Sequence, residues 1–372
     1  MKTYHWKPLV LTMIEGVMTT EKKIEGIDLF CGIGGLTHGL SLAGIDMRLG
    51  IDIDESCQYP YEENNSAQFL LKSVTDISPA ELCKYYSNNA IRVLAGCAPC
   101  QTFSTYNPKA NDQDERWWLL REFGRLASNK SLAPEIITME NVPGITDQNI
   151  FREFVEMLRA GGFSVSYERV DCSLYGIPQR RHRLVLLASK YGAVSLVSPS
   201  EFGRAPKTVR DAISSLSPLL AGESDPNDPI HKSARLSQLN TRRVRASTPG
   251  GTWRDWPPEL VAKCHQKESG FSYSSVYARM EWDKPAPTIT TQFYGFGNGR
   301  FGHPEQDRGI SLREGATIQS FPPDYRFVPP GGTVAIGALG RMIGNAVPVV
   351  LGQAIGISIK KHVNEIYSSN HQ

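Results

Sequence analysis

Ile24-Glu25-Gly26-Ile27-Asp28-Leu29-Phe30-Cys31-Gly32-Ile33-Gly34-Gly35 decides how the rest of this 372-residue chain is read. An apolar run of strand length, Ile24 to Phe30, enters a glycine-rich turn, and an apolar helix pattern follows through Leu36, Leu40 and Ala43 before Gly44 closes it. A strand feeding a glycine turn is how doubly wound α/β folds bring backbone N–H groups close to a nucleotide-like ligand, because a Cβ would block the approach. The next strand, Met47 to Ile53, ends in Asp52-Ile53-Asp54, and an acid at that place can accept hydrogen bonds from both hydroxyls of a ribose. The glycine spacing is not the full dinucleotide fingerprint. The expectation is a doubly wound, Rossmann-like sheet with a ligand at its carboxyl edge.

Working outward, Ile91 to Ala95 is a second buried strand that ends in Gly96-Cys97-Ala98-Pro99-Cys100, with polar Gln101, Thr102 and Ser104 behind it. This puts a thiol at the mouth of the sheet. Cys97 and Cys100 could form a redox pair, half a zinc site, or two small packed side chains. No second Cys-x-x-Cys and no neighbouring His completes four zinc ligands, so no metal is expected. Glu135 to Val142 is another apolar run, carrying Glu140 and Asn141 at its end, on the same rim as Cys100. Val165 to Val170 alternates as a strand, and Gln179-Arg180-Arg181-His182-Arg183 precedes the strand Leu184 to Ala188. Alternation along that segment puts Arg181 and Arg183 on one face and Arg180 with His182 on the other.

Composition sets the outer limits. A chain with 40% hydrophobic residues can build two modest cores, and a net charge of +2 means that any nucleic-acid contact relies on local clustering. Seven cysteines without a repeating spacing fit a reducing compartment, not a disulfide framework. The apolar run Pro8 to Met18 is interrupted by Glu15 and lacks a small-residue cleavage site, so neither signal peptide nor membrane span is expected, and the cytoplasm follows. Met13 and Met18 could serve as alternative starts.

These blocks together resemble the C5-cytosine-specific DNA methyltransferases of bacterial type. The resemblance rests on Asp28 to Gly35, Pro99-Cys100-Gln101, Glu140-Asn141-Val142, Gln179 to Arg183, Arg313-Glu-Gly-Ala-Thr-Ile-Gln-Ser-Phe-Pro322 and Gly344-Asn-Ala-Val-Pro348, which occur in the family's order. It implies an S-adenosylmethionine-dependent methyltransferase fold with a smaller, irregular target recognition domain, acting on a cytosine flipped out of duplex DNA. By this resemblance Cys100 attacks C6 of the base, Glu140 serves N3 and the amino group, and Arg183 contacts the ring oxygen with Arg181 in support. It also implies a cofactor site made by Phe30, Gly32, Gly34, Gly35, Asp52, Ile53, Asp76 and Asn345, with Ile53 on adenine and Asp76 on its amino group. Gln101, Ser104 and Arg116 would meet DNA, and Thr105 to Gln113 would form a mobile loop that closes over the base. The family follows this arginine with a small residue, where this chain has Trp117 and Trp118.

From Ser189 to about Asp283 the family's blocks cease. Between His231 and Arg254 the chain carries Lys232, Arg235, Arg242, Arg243, Arg245 and Arg254 without one acid, a phosphate-binding candidate from which Arg242, Arg243 and Arg245 are taken as DNA contacts. The expected organisation is an extension over 1–23, a catalytic and cofactor domain over 24–189, a target recognition domain over 190–285, its scaffold over 286–342, and a C-terminal helix over 343–372 that returns to the catalytic domain. The expected partners are duplex DNA and either a cognate restriction endonuclease acting separately or, for an orphan methylase, none, with the enzyme itself a monomer. The competing readings are a tRNA cytosine-5 methyltransferase sharing these blocks and a catalytically silent DNA-binding relative.

Overall fold

The structure is a computed structural model that describes residues 22–99, 117–267, 270 and 275–369. Five strands run parallel: β1 (Ile24–Leu29), β2 (Asp46–Asp52), β3 (Gln68–Leu71), β4 (Ile91–Gly96) and β5 (Ile136–Asn141). β6 (Ser164–Asp171) and β7 (His182–Ser189) complete a seven-stranded sheet in the order β3-β2-β1-β4-β5-β7-β6. Every residue of β1 and β5 is buried, as strands covered on both faces require. β7 is antiparallel to both its neighbours. That single reversal brings the start of β7, with Arg181 and Arg183, to the edge where β1, β2, β4 and β5 end.

Helices cover both faces. α1 (Gly35–Leu42) and α2 (Gln58–Asn64) lie on one side, and α3 (Pro79–Cys83), α4 (Trp117–Ala127) and α5 (Asn149–Ala160) on the other. Phe123, Leu126, Phe151, Phe154 and Leu158 fill the second face at helical spacing.

Beyond β7 order is local and irregular. α6 (Gln238–Ala246) packs Val244 against Trp253, Trp256, Leu260 and Phe296 in a small separate core. Arg308 and Glu314 form a fully buried ion pair at 2.7 Å, with Glu314 on α7 (Leu312–Ile318). Arg279 is also buried and donates to the carbonyls of Val244, Ser247, His303 and Gln306. Charged side chains bonding backbone here do the work that strands do in the first lobe.

The C-terminal region is two helices, not the single one expected to open at Ile343. α8 (Ile336–Asn345) ends at Asn345 and α9 (Val349–Ser369) begins after Pro348, whose carbonyl accepts from Leu351 and Gly352. α9 returns to the first lobe and crosses α1 so closely that a Cβ on Gly39 would lie 2.3 Å from the Val349 carbonyl oxygen. The stretch 336–368 is long and apolar enough to cross a membrane, yet its most apolar window is 72% buried within the protein, the mark of a core helix.

Candidate active site

A cleft of about 1500 Å³ opens at the carboxyl edge of the sheet and is walled on its other side by residues 275–301 and 341–347. Acids predominate at one end of it and bases at the other. Asp28, Asp52 and Asp54 stand at one end, on the tips of β1 and β2, with Arg341 paired to Asp54 at 3.2 Å. Arg169, Arg180, Arg181, Arg183, Lys284 and Arg300 stand at the other, with Glu140 and Glu281 among them, the latter paired with Lys284 at 2.8 Å. A cationic ligand suits the first end and a polyanion the second.

At the acidic end the backbone itself shapes the site. Phe30 holds a left-handed φ of 60°, costly for a side-chain-bearing residue, and Gly34 follows at φ 84° as the residue before α1. The Asp52 carboxylate accepts the N–H of Gly32 at 2.9 Å and of Asp54 at 3.0 Å, which fixes its rotamer and leaves lone pairs for a ligand. Gly32 has open space where a Cβ would be, whereas a Cβ on Gly35 would strike the Val347 carbonyl at 2.3 Å, so Gly35 serves the approach of the C-terminal segment. Ile53 is 74% exposed just beyond Asp52, Asp76 is exposed in a short turn, and neither lines the cleft proper. Asn345, at the end of α8, does.

Asp28 lies beneath this end. Thr37 Oγ1 donates to its Oδ2 at 2.7 Å, its Oδ1 is buried without a partner, and burial pushes its carboxyl up to about 7.

At the basic end Glu140 closes β5 and is 3% exposed. Its Oε1 faces Arg183 Nε at 2.9 Å, and its Oε2 accepts from Cys97 Sγ at 3.0 Å. The Arg183 contact is an ion pair whose angle is too poor for a hydrogen bond, leaving Oε1 without one. Arg183 also donates to the His182 carbonyl, and Asn141 Nδ2 holds the Ala98 carbonyl at 3.1 Å. β4 thus delivers Cys97, Ala98 and Pro99 into the cleft wall beside Glu140. Cys100, Gln101, Ser104 and Arg116 lie outside the described residues.

Arg181 does a different job from Arg183. It is 3% exposed, and its guanidinium donates to the carbonyls of Ile289 at 2.9 Å and Ala346 at 3.4 Å. Burial, with Arg183 nearby, lowers its pKa to about 9. Gln179 extends the brace by donating to Gln319 at 2.6 Å and accepting from the Ile289 N–H at 3.1 Å. Gln319 in turn holds the Ile343 carbonyl at 2.8 Å. Sequence reasoning missed Gln179, Gln319 and Cys97 as site-building groups, although Gln179 opens the very block that was singled out.

The irregular second lobe corrects one assignment. Arg243 is 9% exposed, bonds the Leu260 carbonyl at 2.8 Å and lies over the rings of Trp256 and Tyr277, so it belongs to the small core and is not presented to DNA. Arg242 and Arg245 are exposed beside Glu259 and Asp307 respectively. The acids absent from the local sequence arrive from elsewhere in the chain.

Residues 24–361 match the family model of the C-5 cytosine-specific DNA methylases. The chain is 51% identical over 344 residues to the type II methylase M.HgiDII of Herpetosiphon aurantiacus, covering 92% of this chain and 96% of that one. It is 31% identical over 360 residues to the type II methyltransferase M1.BsuMI of Bacillus subtilis, covering 91% and 81%. Among solved structures, a putative DNA modification methyltransferase encoded within an E. coli prophage superposes with a TM-score of 0.70 at 22% identity, over 92% of this chain and all of that one, a likeness of fold. With this cleft already in place, these likenesses lead to one conclusion: the chain belongs to the C-5 cytosine-specific DNA methylases and is a DNA cytosine-5 methyltransferase.

Proposed function

We propose that the acidic end of the cleft binds S-adenosylmethionine and the basic end holds a cytosine flipped out of duplex DNA. Two observations at the acidic end fit this cofactor: a fixed carboxylate on Asp52 for a ribose diol and an exposed apolar Ile53 beside it. Phe30, Gly32 and Asn345 line the same space, Gly34 and Gly35 shape the turn, and Asp76 stands outside it for the adenine amino group. When bound, the cofactor supplies an electrophilic methyl group.

The observation that carries the catalytic reading is the Glu140–Arg183 pair, buried beside the segment that leads into Cys100. Carbon 5 of cytosine is a poor nucleophile until the ring is activated. The Cys100 thiolate adds to C6, Glu140 supplies a proton at N3 so that no full anion builds, and C5 gains enamine character. Arg183 holds the ring oxygen, and Arg181 fixes the strand that carries Arg183. After C5 is methylated, loss of its proton and expulsion of Cys100 restore the aromatic ring. A base stacked in a duplex cannot reach this edge, so it must be flipped. Gln101, Ser104 and Arg116 belong to the DNA side of this reading.

A cognate endonuclease acting separately, in keeping with the type II names of the relatives, together with monomeric action in the cytoplasm, completes the proposal. The test follows labelled methyl transfer by the unmodified enzyme and Glu140→Gln, on duplex DNA and on tRNA. Turnover on the duplex alone, falling about 10²- to 10⁴-fold in the variant with duplex affinity kept, is expected. Transfer to tRNA only, or a variant that loses affinity but not turnover, contradicts it.

A further inference from the structure

Several surface arginines away from the cleft carry acids: Arg121 with Glu153, Arg210 with Asp283, Arg242 with Glu259, Arg245 with Asp307, Arg326 with Glu63, while Arg152, Arg159, Arg204 and Arg235 are exposed elsewhere without a carboxylate partner among the described residues. Arg169, Arg180 and Arg300 line the cleft instead, and among the described residues no carboxylate pairs with any of the three. Arg169 and Arg180 are exposed, Arg300 half-buried.

Their placement follows from the fold. Arg169 sits near the end of β6, two residues from the end of that strand, and pairs in register with Leu184 of β7. Arg180 alternates with the inward Arg181, so its side chain faces out while its carbonyl is held by Thr288 Oγ1. Arg300 comes from the opposite wall, two residues after Asn298, in the second lobe. Thus two guanidinium groups stand on the lobe that carries Glu140 and one stands on the lobe facing it. A guanidinium without an acid gains most from a phosphate, which it can grip through two N–H groups.

We propose that Arg169, Arg180 and Arg300 form a three-point clamp on the phosphodiester backbone of duplex DNA on either side of the extruded cytosine, closing from both lobes. This rests on the assignment of the cleft to duplex DNA, and it moves the principal backbone contacts from the basic block around Arg242 and Arg245 to the cleft. Phosphate contacts position without reading sequence, so the clamp serves every duplex alike.

The experiment measures duplex affinity against salt for the unmodified enzyme, for Arg169→Gln/Arg180→Gln/Arg300→Gln, for the corresponding three Lys substitutions, and for Arg242→Gln/Arg245→Gln. Each lost phosphate contact lowers the slope of log affinity against log salt by about 0.9. The Gln triple variant is expected to lose about 2.7 from the slope, at least roughly tenfold in affinity, equally for duplexes with and without the target site. The Lys triple variant keeps most of the slope, which separates lost charge from a misfolded protein, and S-adenosylmethionine binding stays unchanged in both. A Gln triple variant with the parental slope, or a slope lost in Arg242→Gln/Arg245→Gln instead, overturns the clamp. An unmodified enzyme that binds duplex without steep salt dependence, or binds tRNA in preference, overturns the underlying assignment to duplex DNA as well.

Discussion

Asp28 is a carboxylic acid buried where β1 meets the glycine turn, with one oxygen bonded to Thr37 and the other without a partner. Its pKa of about 7 in the folded protein stands against an ordinary 3.8, chiefly because burial disfavours the charge and in part because Asp52 is near. Between those values the unfolded chain has released a proton that the folded chain keeps. The contribution is therefore full below the lower value, falls as pH rises through the window, and is lost above about 7. Asp28→Asn keeps an acceptor for Thr37, so urea titrations from about pH 4 to about pH 8 should show a flatter decline in stability than the parent. An unchanged decline contradicts the assignment. At this scale the sequence was uneven as a guide. The block around Glu140 and Arg183 could be read because it sits at strand ends, where side chains face the cleft. Cys97 could not, since only the distance to Glu140 distinguishes it from any small packed residue. Arg243 misled for the converse reason: a local absence of acids says nothing of the Leu260 carbonyl and the aromatic rings that fold over it.

At the scale of elements, β1, β2, β4, β5 and α1 were legible because each is a continuous apolar run or a helical stripe with a clear stop, whereas β3 and the short α3 left no such mark. The region after β7 was not. Its order comes from Arg279 and Arg308 bonding distant carbonyls and acids, and from Trp253 stacked on His265 at 4.5 Å, none of which leaves a period in the sequence. The division of the C-terminal region into α8 and α9 was also hidden, since both helices are apolar and only the Ala346-Val347-Pro348 link parts them. The contact of α1 with α9 gives the clearest prediction here. Gly39→Val would force the two helices apart at a backbone-to-backbone approach, and a loss of about 3 kcal/mol is expected in denaturant unfolding. Because Gly35 packs on Val347 in the same seam, cofactor affinity should fall with it. A variant within about 0.5 kcal/mol of the parent would show that the seam is not tightly packed.

Across the whole molecule, the reversal of β7 and the return of α9 bring the two halves of the chain to one cleft. Gln179, Arg181 and Gln319 bolt the second lobe to the sheet edge through the carbonyls of Ile289, Ile318, Ile343 and Ala346. The acidic and basic ends of that cleft therefore keep a fixed relation, which a transfer between a cationic donor and a base held by DNA requires. The catalytic account depends on a covalent bond between Cys100 and C6 of the base, and substituting fluorine for the C5 hydrogen blocks the step that would release it. Intact-mass measurement of the enzyme incubated with S-adenosylmethionine and a duplex carrying fluorocytosine at the target should show a one-to-one adduct that Cys100→Ser abolishes while cofactor binding persists. Saturated cofactor and bound duplex without any adduct would contradict the account.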